Sequence, residues 1–193
     1  KQNLEDDGFT LAETEELTGK TDTIATANPK TYTGFTLDGT VEGTVASGNI
    51  AGDGSLVLKL YYTRNSYDVT YAYTGTVPAD ASALPEKAAV KYGASVTVAE
   101  AATAKGHTFS GWSTGDFTMP AQDVEITGSF TANGDTAYTV EHYQQNLAGD
   151  GYDLVEADTE HLTGETDTTA TANPKAYTGF TFDGTVEGTG ASG

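Results

Sequence analysis

From Ser55 to Thr63 the chain reads SLVLKLYYT. Leu56, Leu58 and Leu60 fall on one side of an extended backbone, and Val57, Lys59 and Tyr61 on the other. Successive side chains of a strand point to opposite faces, so this alternation predicts a half-buried strand. The same period of two recurs in YDVTYAYTG, which lines up Tyr67, Val69, Tyr71 and Tyr73. It recurs again in ASVTVAE, in DVEITGSF, and in AYTVEHYQ, where Tyr138, Val140 and His142 share a face opposite Thr139, Glu141 and Tyr143. Between these runs stand EDDG, LDGT, AGDG (twice), ANGD and FDGT. These are Asp/Asn-Gly turn signals, because glycine accepts positive φ without steric cost. No segment sustains a helical period over three turns. TVPADASALPEKAAV, with its two prolines, predicts a crossover loop holding at most one helical turn. The expected class is mainly β.

A second pattern is longer. Gly19 to Gly48 is answered by Gly164 to Gly193 at an offset of 145, with 25 of 30 positions identical. Upstream, Gln2 to Glu13 (QNLEDDGFTLAE) is answered by Gln145 to Glu156 (QNLAGDGYDLVE) at an offset of 143. This period exceeds the roughly 20–50 residues of a solenoid turn and suits small domains in tandem. Tyrosine-led strands begin near Arg64–Ser66 and near Asn133–Thr136. They divide the chain into residues 1–64 (a copy lacking its first strand), 65–135 (a different module) and 136–193 (a second copy lacking its last strand). The whole reads as a window on a longer array.

Composition narrows the functional classes. The 193 residues include 34 Thr and 23 Gly, which suit strands and tight turns. The net charge is −19, spread over all three segments. Such a chain would be repelled by nucleic-acid phosphates and by anionic membrane surfaces. Cysteine is absent, which excludes thiol catalysis and thiolate metal sites. No run of 18 apolar residues exists to insert in a membrane as a helix.

Candidate chemistry is sparse. His107, His142 and His161 stand at no metal-binding spacing, and no GxSxG elbow occurs. GTVEGTVASG lacks the lysine and strand–turn–helix setting of a phosphate loop. Asp6, Asp7, Asp53 and Asp150 sit beside glycines and are weak calcium candidates, without the spaced acidic series of a complete calcium loop. Lys59 and Lys91, on strands or strand edges, are the candidates for an intramolecular isopeptide. The expectation is a non-enzymatic chain with no required cofactor and no metal site beyond those four aspartates. The large apolar residues Phe35, Tyr92, Phe109, Trp112 and Phe180 read as core anchors. In residues 65–135 the expected core is Val69, Tyr71, Val96, Val98, Phe109, Trp112, Ile126 and Phe130.

VKYGASVTVAEAATAKGHTFSGWSTGDFTM, Val90 to Met119, resembles the Listeria–Bacteroides repeat (internalin B-repeat). The resemblance rests on Tyr92, Gly93, Gly106, Thr108, Phe109, Gly111 and Trp112, with His107 where that family usually has Tyr, and it spans nearly all of residues 67–132. The flanking copies, through their opening strand, LTG and the degenerate word YTGFTF, resemble MucBP (mucin-binding protein) repeats. Both resemblances imply tandem β-grasp-like (ubiquitin-like) small modules in an elongated array. They imply a Gram-positive surface adhesin, extracellular at the cell wall, in which such modules act as stalk, spacer or fibre-forming unit. The alternative is multivalent binding of a host glycan, mucin or protein. Neighbouring repeats are the expected partners, including head-to-tail self-association with Leu56–Tyr62 beside a Tyr138–Tyr143 strand.

Overall fold

A computed structural model describes residues 1–186 and 189–190; the last residues of the second repeat, Glu187, Gly188 and 191–193, lie outside the described residues. The fold is mainly β. Among the described residues, fourteen strands are joined by turns and the one helical element is a 3-10 turn at Glu156–Asp158. The helical turn anticipated in 76–90 is a plain turn instead, with Pro78 O accepting from Ala81 N at 3.1 Å.

The first copy holds β1 (Ile24–Thr26), β2 (Phe35–Leu37), β3 (Ser47–Asn49) and β4 (Tyr62–Arg64). β1 pairs antiparallel with β3, and β2 with β4 in the register Phe35↔Arg64, Leu37↔Tyr62. The run 55–61 is not a regular strand, contrary to its pattern, and carries one isolated bridge, Val45↔Lys59. Its alternation persists in burial: Leu56, Leu58 and Leu60 are half-buried, and Val57 and Lys59 are exposed.

The middle segment holds β5 (Ser66–Thr74), β6 (Ala88–Lys91), β7 (Ser95–Val96), β8 (His107–Phe109), β9 (Phe117–Thr118) and β10 (Val124–Ala132). Four of these form one sheet in the order β6-β5-β10-β8, and β7 pairs with β9. The alternation of β5 and β10 aims Val69 and Ile126 inward to meet Val96 and Met119, and Tyr67, Tyr71, Val90, Val98, Trp112, Phe117 and Val124 pack around them. Trp112 lies edge-on to Tyr71 and stacked on Tyr73, and its Nε1 donates to Glu100 O at 2.9 Å. Two expected members lie elsewhere. Phe109 and Phe130 face each other across the β8–β10 ladder, 5.2 Å apart, outside this cluster. Met119, 1% exposed, takes a central place that no periodic pattern marked.

The second copy holds β11 (Thr136–Val140), β12 (Tyr143–Gln145), β13 (Tyr152–Leu154) and β14 (Glu160–Gly164). β11 pairs with β14, and β12 with β13. Phe180, expected in a core, is 46% exposed, and Phe182 is 58% exposed. The reason is visible in the first copy, where the equivalent Phe35 and Leu37 lie on β2 and ladder with β4. Among the described residues, 180–182 carry no such ladder.

By contacts the chain forms two compact units. One comprises Lys1–Tyr73, Leu84–Glu100 and Trp112–Gly128; the other comprises Thr74–Ala83, Ala101–Gly111 and the chain from Ser129 onward. The segment 65–135 contributes to both. The first unit contains the whole junction between the first copy and the middle segment, and the second contains the junction from the middle segment to the second copy.

Candidate functional site

The two junctions are built alike. At the first, Asn65 follows β4. Its backbone N–H donates to Gly34 O at 2.9 Å, and its carbonyl accepts from Tyr92 N at 2.8 Å. Its side-chain Oδ1 accepts from Thr36 Oγ1 at 2.7 Å. At the second, Asn133 follows β10. Its N–H donates to Gly106 O at 2.8 Å, its carbonyl accepts from Thr166 N at 2.9 Å, and its Oδ1 accepts from Thr108 Oγ1 at 2.7 Å.

The match extends to conformation. Gly34 and Gly106 both have positive φ, 79° and 66°. A side chain on either would collide with the residue that docks there, the Tyr92 ring in one case and Thr166 in the other. Tyr92 and Thr166 each precede a left-handed residue, Gly93 (φ 80°) and Asp167 (φ 59°), inside tight turns closed by Ala94 N to Lys91 O and Thr168 N to Glu165 O. A Gly-x-Thr socket, an asparagine and a docking turn thus recur on two unrelated sequences. Three net hydrogen bonds contribute about 0.5–1.5 kcal/mol each. The closed junction is then favoured roughly a hundredfold.

The first junction has an added charge cluster. Arg64, 6% exposed, donates to Asp6 Oδ1 at 2.7 Å and to the carbonyls of Leu4 and Tyr92 at 3.0 Å. Lys91 reaches the same Asp6 oxygen at 3.0 Å. The Arg64 guanidinium, then Lys91, holds the Asp6 carboxyl below the usual carboxylate range. Asp6 has φ 61°, where the second copy has Gly149 at 74°. The second junction has His107, whose Nε2 lies 3.6 Å from Asp167.

A third feature is repeated in both copies. Lys30 pairs with Glu13 and Glu15, each at 2.7 Å, and Tyr32 donates to Glu13. At the equivalent places Lys175 pairs with Asp158 at 3.4 Å and Glu160 at 3.3 Å, and Tyr177 donates to Asp158 at 2.7 Å. Partial burial, then the Asp158 hydrogen bond, pushes the Tyr177 hydroxyl up to about 12. Glu13 and Glu15 raise Lys30 by direct hydrogen bonds. In the second copy His142 Nε2 also meets Glu160 at 3.2 Å.

The calcium candidates do not converge. Asp6 faces two cations, Asp7 accepts from Asn3 Nδ2, Asp53 caps its own turn through Ser55 N at 3.0 Å, and Asp150 accepts from Asn146 Nδ2 at 2.9 Å. Among the described residues no three His, Asp or Glu side chains gather at one point. Lys59 is exposed on the Val45 bridge, and Lys91 is spent on Asp6. His161 lies 3.4 Å from Thr139 Oγ1 across the β11–β14 ladder. Among the described residues no helix is long and apolar enough to cross a membrane.

Sequence reasoning passed over Asn65, Asn133, Thr36, Thr108, Gly34 and Gly106 as a set. The signal was present. GFT and GHT stand in both module types, and an asparagine stands at each boundary just before a tyrosine-led strand.

Compared with known proteins, the chain matches no family model, no curated protein and no solved structure.

Proposed function

We propose that this chain is a non-enzymatic repeat segment of a Gram-positive surface adhesin, working extracellularly at the cell wall as a stalk or spacer. The observation that carries this reading is the repeated junction: two different module pairs are closed by the same asparagine latch with the same glycine and threonine partners. A chain that must hold a distal part at a distance needs junctions that resist bending. A serial latch meets that need, and a solubilising acidic surface keeps crowded copies apart.

The β-grasp-like reading of the modules belongs to the same proposal. It is supported by the sheet order β6-β5-β10-β8, in which the first and last strands of the middle module are central neighbours. A module of about 70 residues has a radius of gyration of about 11 Å and adds roughly 30 Å to an elongated array. The role requires no cofactor, and its partners are neighbouring repeats.

Multivalent ligand binding is the second reading. Its sign would be one exposed aromatic face repeated in each copy. Tyr143 and Tyr152 are exposed at 53% and 48%; Phe9, the counterpart of Tyr152, is exposed at 38% with its ring edge-on to Tyr61 at 4.9 Å. Phe9 lacks the hydroxyl, so the copies do not repeat one polar aromatic face, which favours the spacer.

The chain lacks cysteine, so nitroxide labels can be placed at Ser55→Cys and Thr114→Cys, on either side of the first junction. The spacer reading expects a narrow distance distribution that broadens when Asn65→Gly is added. A distribution already broad before that substitution would sink it. Saturable glycan-array binding lost in Tyr143→Ala with Tyr152→Ala would move the assignment to the second reading.

A further inference from the structure

The two latches use the same asparagine but differ in the residue that follows it. Asn65 is followed by Ser66, which opens β5 and stands in the ladder opposite Lys91. Asn133 is followed by Gly134, an exposed turn residue between β10 and β11, in the one Asn-Gly pair of the sequence. Among the described residues the Gly134 N–H has no acceptor. The glycine is required neither by space nor by conformation. A Cβ there would meet nothing within 4 Å, and its φ lies outside the left-handed region.

A free, unhindered amide nitrogen after an asparagine is the setting for intramolecular deamidation. Hydroxide takes the Gly134 N–H proton, and the nitrogen bonds to Asn133 Cγ. The Cγ–Nδ2 bond breaks, and Nδ2 takes a proton from water and leaves as ammonia. Water then opens the resulting five-membered succinimide at either carbonyl. Opening at Cγ gives aspartate. Opening at the main-chain carbonyl gives isoaspartate, whose main chain runs on through Cβ and Cγ.

We propose that Asn133–Gly134 is a self-modification site of this kind, shielded while the second latch is closed and released when it opens. Ring closure must turn the Cα–C bond of Asn133 and its carboxamide. In the closed latch the N–H is held by Gly106 O, the carbonyl by Thr166 N and the carboxamide oxygen by Thr108 Oγ1. The reaction therefore draws on the locally opened junction. With closure favoured roughly a hundredfold, the folded chain converts roughly a hundredfold slower than a free peptide. In isoaspartate the main chain leaves along the direction that the side chain took towards Thr108. It cannot keep that contact and also run on to Thr136 in register with Gly164. One opening of the junction thereby becomes permanent. At the first latch, Ser66 carries a Cβ that crowds the same attack. The inference rests on the latch geometry and not on the spacer reading.

The test incubates the full chain and a synthetic peptide of residues 130–137, FTANGDTA, at mildly alkaline pH. Peptide mapping follows each asparagine, and enzymatic methylation counts isoaspartate. The peptide should convert at Asn133 roughly a hundredfold faster than the chain, in which Asn65 should outlast Asn133. Thr108→Val, a change at an exposed position that removes one latch bond, should speed conversion of the chain about fivefold. Gly134→Ala, which the open space permits, should suppress conversion in chain and peptide alike. Converted chain should lose protection of the Thr166 amide while the β8–β10 ladder amides keep theirs. The proposal is overturned if the chain converts as fast as the peptide, or if Asn133 outlasts the time that the hundredfold slower reaction needs. Isoaspartate formation that leaves Thr166 protected would overturn it too.

Discussion

At the scale of single residues, Asp6 shows how one copy departs from the other. It occupies a left-handed position that the second copy gives to glycine, a conformation that costs a non-glycine residue about 1–2 kcal/mol. In exchange its carboxylate neutralises the buried Arg64. Asp6→Asn should therefore lower the melting temperature. The Asp6 pKa is depressed in the fold, so its contribution is present above the ordinary carboxylate value and is lost as pH falls through the folded value. The gap between parent and Asp6→Asn melting temperatures should stay constant near neutrality and close below about pH 4. Tyr177 behaves with the opposite sign. Its raised pKa favours the fold below about pH 10 and loses that effect as pH climbs towards 12. Absorbance at alkaline pH should show a tyrosine ionising near 12 that vanishes in Tyr177→Phe. Trp112→Ala should cost about 3 kcal/mol in denaturant titration, since it removes two ring contacts and an indole hydrogen bond. Trp112, Val69, Val96 and Ile126 were legible as core from alternation and bulk. Met119 was not, because it follows the two-residue strand Phe117–Thr118, too short to display a period.

At the scale of elements, alternation located β5, β10 and β11 well, and it overreached at 55–61. There the side chains alternate in burial while the backbone makes a single bridge, since pattern reports faces and not partners. The same limit explains Phe180. Its sequence matches Phe35, but a strand's burial is set by its neighbour, and among the described residues 180–182 pair with no strand as Phe35–Leu37 pair with β4. The repeat makes a paired experiment possible. Gly34 and Gly179 are equivalent and both have positive φ, 79° and 84°. Gly34→Ala must also displace the Tyr92 ring, whereas nothing stands near Gly179. Gly179→Ala should cost about 1–2 kcal/mol, the backbone term alone. Gly34→Ala should cost clearly more in the same denaturant titration and should release the Tyr92 amide.

At the scale of the molecule, the repeat was legible because near-identical sequence needs no physical inference, whereas the division into compact units, which splits residues 65–135 between both, left no mark in the pattern. The latches were hidden because their hydrogen bonds are mostly backbone, and backbone partners leave only a faint mark on sequence. A net charge of −19 with few cations sets a self-repulsion that salt screens. Raising ionic strength from very low to about 0.15 M should raise the melting temperature. Both junctions are closed by one device, and hydrogen exchange at four amides reads it: Asn65 and Tyr92 at the first junction, Asn133 and Thr166 at the second. All four should exchange slowly, near the rates of the β2–β4 and β8–β10 ladder amides, and the two junctions should resemble each other. Exchange of these amides at the rate of an open loop, while the ladders on either side remain protected, would contradict it.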